Sequence, residues 1–133
     1  MKRKIQDMLQ KGHIRPISSP CGSLIVLVQK KDRTSRLYID YQALNKIIIW
    51  NRYPIPRFDD LLGQLKGAKY FRKLDLKFGY HQVLIKPFDV WKTTFKSKED
   101  LFERLVMPFA LVNAPTTFMR AMDDILRHSL THL

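Results

Sequence analysis

Apolar positions near the start of the chain recur at helical spacing. Ile5, Met8 and Leu9 fall on one face and Gly12 follows as a stop, predicting a short helix. Pro16, Pro20 and Gly22, interleaved with Ser18, Ser19 and Ser23, predict a loop. Residues 24–28 are apolar and rich in β-branched side chains, predicting a buried strand. A basic turn over 30–35 and a returning strand over 36–40 follow. A loop with Asn51, Pro54 and Pro56 leads to a second helix. Asp59 and Asp60 open it, where acidic groups complement the helix dipole; Leu61, Leu62 and Leu65 line it, and Gly67 ends it.

Further along, residues 69–76 alternate. Tyr70, Arg72, Leu74 and Leu76 lie on one side and Phe71, Lys73 and Asp75 on the other, predicting a strand with a carboxylate near its end. Short strands are predicted over 83–85, 93–95 and 101–106. From Asn113 onward Phe118, Met122, Ile125, Leu126 and Leu130 fall at helical intervals, with Pro115 in the first turn. There is no internal repeat, low-complexity tract or linker. Mixed helices and strands with hairpin-like spacing predict an α+β fold rather than a doubly wound sheet.

Composition narrows the class. The chain has 133 residues, enough for one domain, with 45% hydrophobic and 27% charged residues, which excludes general disorder. One cysteine, Cys21, excludes an internal disulfide framework and a multi-cysteine zinc site. No apolar run approaches a membrane span, and the stretch Gln6-Asp7-Met8-Leu9-Gln10-Lys11 is too polar for a signal peptide. The expectation is an intracellular protein of cytoplasm or nucleus, not secreted and with no membrane partner. Twenty-four Lys and Arg against twelve Asp and Glu give a net charge of +12, a field that attracts polyanions, nucleic acid above all. Tyr38, Tyr70, Phe71, Tyr80, Trp91 and Phe95 sit among the basic residues, as suits stacking on bases or sugars.

Asp75 is the carboxylate of most chemical interest. It sits at a predicted strand end, five residues before Tyr80-His81-Gln82, with Gly79 permitting close backbone approach. That setting in a basic chain suits Mg²⁺ held for phosphoryl transfer, although spacing alone favours a solvated Asp closing a strand. Asp123 and Asp124 are adjacent on a helix, so they point about 100° apart and do not converge on one ion; they read as a solvated face. Asp59 and Asp60 read as a helix start. His81 has no partner placed by sequence and reads as structural, and His13, His128 and His132 share no ligand spacing. Cys21 has no nearby base. Neither a phosphate-loop glycine pattern nor a Gly-x-Ser-x-Gly elbow occurs.

Taken together, the motifs resemble the reverse transcriptase of Ty3/Gypsy long-terminal-repeat retrotransposons. They are Ile14-Arg15-Pro16 with Ser18-Ser19-Pro20, Val28-Gln29-Lys30-Lys31-Asp32, Asp40-Tyr41-Gln42-Ala43-Leu44-Asn45, and Asn51-Arg52-Tyr53-Pro54-Ile55-Pro56. Lys73-Leu74-Asp75-Leu76, Gly79-Tyr80-His81-Gln82, Val106-Met107-Pro108-Phe109 and Asn113-Ala114-Pro115-Thr116-Thr117-Phe118-Met119 complete the series. The resemblance implies the fingers and partial palm of a right-hand polymerase, with fingers over roughly 1–58 and 92–112 and palm over 59–91 and 113–133. It implies RNA-directed DNA synthesis by a two-Mg²⁺ mechanism, in which a primer 3′-hydroxyl attacks a deoxynucleotide triphosphate. Asp75 would be the first catalytic and metal-binding carboxylate. Lys30 and Arg36 would grip the triphosphate, Tyr80 would stack under the sugar and reject a 2′-hydroxyl, and Leu76, Phe109 and Ala110 would line the nucleotide pocket. Lys31, Arg52, Tyr53, Pro54, Gln82, Asn113 and Pro115 would touch an RNA or DNA template and its primer. The remainder of a polyprotein (palm, thumb, RNase H and integrase) is the implied partner.

Some positions depart from the family pattern. Ala110 stands where Gly is usual, Phe78 where Ser, Gln42 where Arg, Arg33 where a turn Gly, and Met119 where Gln. The family's second carboxylate pair lies downstream of the helix that Asn113 begins, so the chain is expected to be truncated before that hairpin and inactive alone, with Mg²⁺ held only in the complete enzyme. The alternative is a non-catalytic, basic nucleic-acid-binding remnant of a degenerate retroelement.

Overall fold

In a computed structural model, residues 1–73, 75–77 and 79–130 are described. Leu74, Phe78 and the terminal 131–133, with His132, lie outside the described residues, and so do the expectations that fall on them.

The first helix, α1 (Lys2–Gln10), buries Ile5 and packs Met8 and Leu9 beside it. Gly12, at φ +69°, ends it: the Gly12 amide donates to the Leu9 carbonyl (3.1 Å) and the His13 amide to the Met8 carbonyl (2.9 Å). This is a left-handed helix termination that glycine adopts without a Cβ clash. It also turns the chain directly into β1 (Ile14–Pro16), a strand that the sequence pattern did not announce.

Five strands form one sheet: β1, β2 (Ser23–Gln29), β3 (Ser35–Ile39), β4 (Phe95–Lys96) and β5 (Leu101–Arg104), in the order β1-β5-β4-β2-β3. Pairings are antiparallel except between β2 and β4, which run parallel through Ser23–Phe95 and Leu24–Lys96. Ile14, Ile39, Phe95 and Phe102 meet Ile5 and the fully buried Tyr41 in the core. Phe95 and Phe102 are register partners, with ring centroids 5.9 Å apart. The Tyr41 hydroxyl donates to the Thr93 carbonyl at 2.7 Å, and burial pushes its pKa up.

Across β1 and β5, Arg15 stands opposite Glu103, whose side chain is 2% exposed, and its guanidinium pairs with that carboxylate. A carboxylate so buried is tolerated because a charged donor satisfies it.

The remaining elements are helical: α2 (Gln42–Ile47), α3 (Phe58–Leu65) and α4 (Ala114–Leu130), with single 3₁₀ segments at Gly79–Gln82 and Pro87–Thr93. The architecture is α+β, as the pattern predicts. No described helix is long and apolar enough to cross a membrane.

Several expectations are corrected. Residues 24–28 do form a strand, but not a buried one. Ile25 turns toward the core, while Leu24, Val26 and Val28 on the other face stay exposed, Leu24 by 67%. An unbroken apolar run does not reveal that only one face is covered. The expected strand over 69–76 is absent from the described residues of that segment, which are exposed, Tyr70 by 94%. Alternation makes a strand only where a neighbour completes the ladder, and none pairs with it among the described residues. Over 83–85 there is a single bridge, Leu84 to Val106. The strand placed over 93–95 begins at Phe95, because Pro87 at the start of the preceding 3₁₀ turn carries helical geometry through Thr93.

The β2–β3 turn explains one departure from the family pattern. Arg33 holds φ +63°, a left-handed conformation costly for a residue with a Cβ. Asp32 supports it by accepting from the Thr34 amide (3.0 Å) and hydroxyl (2.6 Å), contacts that hold its carboxyl below the usual range. Arg33→Gly is expected to stabilise the protein by about 1 kcal/mol, read as a raised denaturant midpoint with unchanged slope.

Candidate nucleotide and template site

Tyr80, Phe109, Ala110 and Asn113, singled out by sequence, lie around Gly79–Gln82, the turn over 107–113 and the start of α4, whereas Lys30, Lys31 and Arg36 lie on the β2–β3 hairpin. Tyr80 makes edge-to-face contacts with Phe109 (centroids 4.8 Å) and with Phe118 of α4 (5.0 Å). Gly79 is needed for this stack. A Cβ built there would stand 2.9 Å from Phe118 Cζ, closer than real Cβ contacts come, and 3.0 Å from Cε2, so the ring would have to shift. Phe109 is 68% exposed, so the Tyr80–Phe109 pair forms a wall that opens to solvent.

The turn that carries Phe109 and Ala110 has no sheet of its own to satisfy its backbone. Asn45 of α2 does so. Its amide donates to the Ala110 carbonyl (2.8 Å) and its oxygen accepts from the Val112 amide (3.0 Å), across more than sixty residues of chain. Asn113 fixes the next segment in the same way: its oxygen accepts from the Asn51 amide (3.0 Å) and its amide donates to the Ile49 carbonyl (2.8 Å). The Asn51 side chain accepts from the Tyr53 amide (3.1 Å), and the Tyr53 hydroxyl donates to Asp123 of α4. That bond raises the Tyr53 pKa. Asp123 is therefore not simply part of a solvated face, as its helical position suggests; it anchors the 49–53 segment, while Asp124 is exposed. The polar atoms of Asn113 and Tyr53 are thus engaged within the chain.

Lys30 and Arg36 lie on the β2–β3 hairpin. Arg36 is opposite Val28, and Lys30, two residues beyond Val28, donates its amide to the Thr34 carbonyl at 2.7 Å. Arg36 and Tyr38 share a face with Val26 and Val28, and all four are exposed. Sequence reasoning picked out the cations but missed this apolar platform, whose signal is the second face of the alternating strand. Lys31, Arg52, Pro54 and Pro115 are exposed. Gln82 is exposed and donates to the Lys77 carbonyl at 2.8 Å. Cys21 is an exposed thiol.

Asp75 and Leu76 are exposed and lie outside any described helix or strand. Leu76 lies near the Gly79 turn, its Cβ 3.8 Å from the position of a Gly79 Cβ. Among the described residues, no three His, Cys, Asp or Glu side chains converge where a metal ion could be held, so the donor set does not amount to a metal site. The structure also joins residues that sequence reasoning left apart: the rings of His13 and His81 lie 4.8 Å from each other, beside Arg104.

Comparison with known proteins defines the class. Residues 28–133 match the reverse transcriptase (RNA-dependent DNA polymerase) family, and the chain belongs to that family. It is 42% identical over its whole length to the retrovirus-related Pol polyprotein of transposon 297, and 38% identical over 98% of its length to that of transposon gypsy, both from Drosophila melanogaster. With these relatives, it belongs with the reverse transcriptase domains of Ty3/Gypsy-type long-terminal-repeat retrotransposons. It covers 14% and 13% of those two polyproteins. A crystal structure of the prototype foamy virus protease-reverse transcriptase superposes with TM-score 0.81 and 27% identity, covering 93% of this chain and 17% of that one.

The aromatic wall yields a direct test. Gly79→Ala is expected to displace the Phe118 ring and cost about 2 kcal/mol in chemical denaturation, with loss of the Tyr80–Phe118 ring contacts in proton NMR.

Proposed function

We propose that the chain forms the nucleotide- and template-facing part of an RNA-directed DNA polymerase. The observation that carries this reading is the Tyr80–Phe109 wall, built by two separate family motifs and held in place by Gly79, Phe118 and Asn45. Tyr80 is taken to lie beneath the sugar of an incoming deoxynucleotide, where its bulk leaves no room for a 2′-hydroxyl. Phe109, Ala110 and Leu76 line the same pocket. Lys30 and Arg36 take the triphosphate, Arg36 through a planar fork that a lysine does not reproduce. Lys31, Arg52, Pro54, Gln82 and Pro115 face the template and primer. Asn113 and Tyr53 serve this surface as anchors of the 49–53 segment, since their polar atoms are already bonded.

On this reading the fingers comprise roughly 1–58 and 92–112, and the palm begins with 59–91 and 113–133. The five-stranded sheet falls wholly within the first set, which supports the division. Asp75 contributes one carboxylate to magnesium binding in the complete enzyme. One carboxylate does not hold a catalytic ion pair, so the 133-residue chain is expected to yield no primer-extension product with Mg²⁺ and deoxynucleotides. Template-dependent product that disappears in Asp75→Asn would overturn that expectation.

The +12 charge favours a second property, binding of nucleic acid without sequence preference. Affinity for a primer–template duplex is expected to fall at least a hundredfold between 50 and 200 mM salt, on the order of what several phosphate contacts produce. Fluorescence anisotropy measures this. A flat salt response, or no binding at 50 mM, would remove the nucleic-acid reading itself.

A further inference from the structure

Arg104 is 4% exposed and forms no ion pair with an acidic side chain among the described residues. Its position is fixed from both sides. In β5 its amide donates to the Thr93 hydroxyl (2.9 Å); at its far end Nη1 donates to Met8 Sδ (3.3 Å) near the C-terminal end of α1, where a cation complements the helix dipole. Nη2 stands 3.2 Å from His81 Nε2.

A guanidinium has only donors. Nε2 of His81 is therefore the acceptor, and its imidazole is neutral with the proton on Nδ1. A protonated ring could not accept this bond and would face the guanidinium as a second buried cation. The His81 ring also lies 5.7 Å from the Phe109 ring, and His81 directly follows Tyr80. The bond thus fastens β5 to the base of the aromatic wall.

We infer that Arg104 and His81 are positioning residues: their hydrogen bond, which requires a neutral His81, holds Tyr80 and Phe109 in register, and protonation of His81 releases them. The inference deepens the proposed nucleotide pocket and rests on that reading for its functional meaning. The groups around the ring agree in sign. Arg104 from β5, His13 from the turn before β1 and Lys11 from the end of α1 all oppose a positive charge on His81. Together with burial, the largest influence, they lower its pKa to about 4. His13 is lowered by burial, Arg104 and Lys11; Asp7, itself paired with Lys11 at 2.8 Å, acts on it in the opposite direction. A proton therefore binds His81 more readily in the unfolded chain, near pH 6.5, than in the folded one. The contribution of this junction to stability is complete above pH 6.5 and is lost as the pH falls toward 4.

The test is NMR of the 133-residue chain with ¹⁵N-labelled histidine. At pH 7.5 His81 is expected as the Nδ1–H tautomer, and its titration midpoint is expected near pH 4. In Arg104→Met, which keeps the side-chain volume and removes the charge, the midpoint is expected to rise by at least one pH unit. The Tyr80–Phe109 ring contacts should vanish in parallel with His81 protonation. In His81→Gln, which retains an acceptor but does not titrate, they should persist to pH 4. A wild-type midpoint near 6.5, an Nε2–H tautomer, or ring contacts that survive protonation would each overturn the inference, and these need only the wild-type chain. None of the readouts involves nucleotide, so failure of the polymerase reading would appear in the binding assays instead.

Discussion

A turn that belongs to no sheet must find partners for its peptide groups elsewhere, and here a single asparagine supplies them. Asn45 donates to one carbonyl and accepts from one amide of the 107–113 turn, using both ends of its side-chain amide. Because the partners lie more than sixty residues away, the bond ties α2 to the turn that carries Phe109 rather than stabilising a local bend. Asn113 repeats the device one step further along, holding the 49–51 backbone against the start of α4. Phe109 can therefore be exposed and still be fixed, which an apolar core alone does not achieve for a side chain facing water.

The second organising feature is the treatment of buried charge. Neighbouring residues of β5 point to opposite faces and both carry ionised groups into the interior. Glu103 meets a charged partner from β1, whereas Arg104 meets a thioether and a neutral imidazole. The second arrangement depends on one ring staying uncharged. Burial of the guanidinium lowers its own pKa, with Tyr41 acting in the opposite direction, yet it remains the cation of the pair.

Much of this was readable in the sequence, for identifiable reasons. The α1 stop at Gly12, the β2–β3 hairpin, the α3 start at Asp59 and the α4 start near Pro115 are local signals, set by backbone freedom and periodicity. The motif series also led to the right family. What was not readable depended on partners distant in the chain. The open face of β2, the unpaired state of the described residues of 69–76, the bond from Tyr53 to Asp123 and the meeting of His13 with His81 are decided by which element lies alongside, not by the residues themselves. Asn45 was visible only as part of a motif; its work on the 107–113 turn has no signature in its own neighbourhood.

The slightest strand has a mechanical consequence. β4 is two residues long, and among the described residues its ladder alone joins the β2–β3 hairpin to the remainder of the sheet, at Ser23 and Leu24. Ile25, Leu37 and Ile39 root the hairpin in the core, so only its outer end, from the Val28–Arg36 pair to the turn, projects, over roughly 10 Å at about 3.3 Å per residue. Lys30 and Arg36 thus stand just beyond the core contacts, held in place by their own ladder.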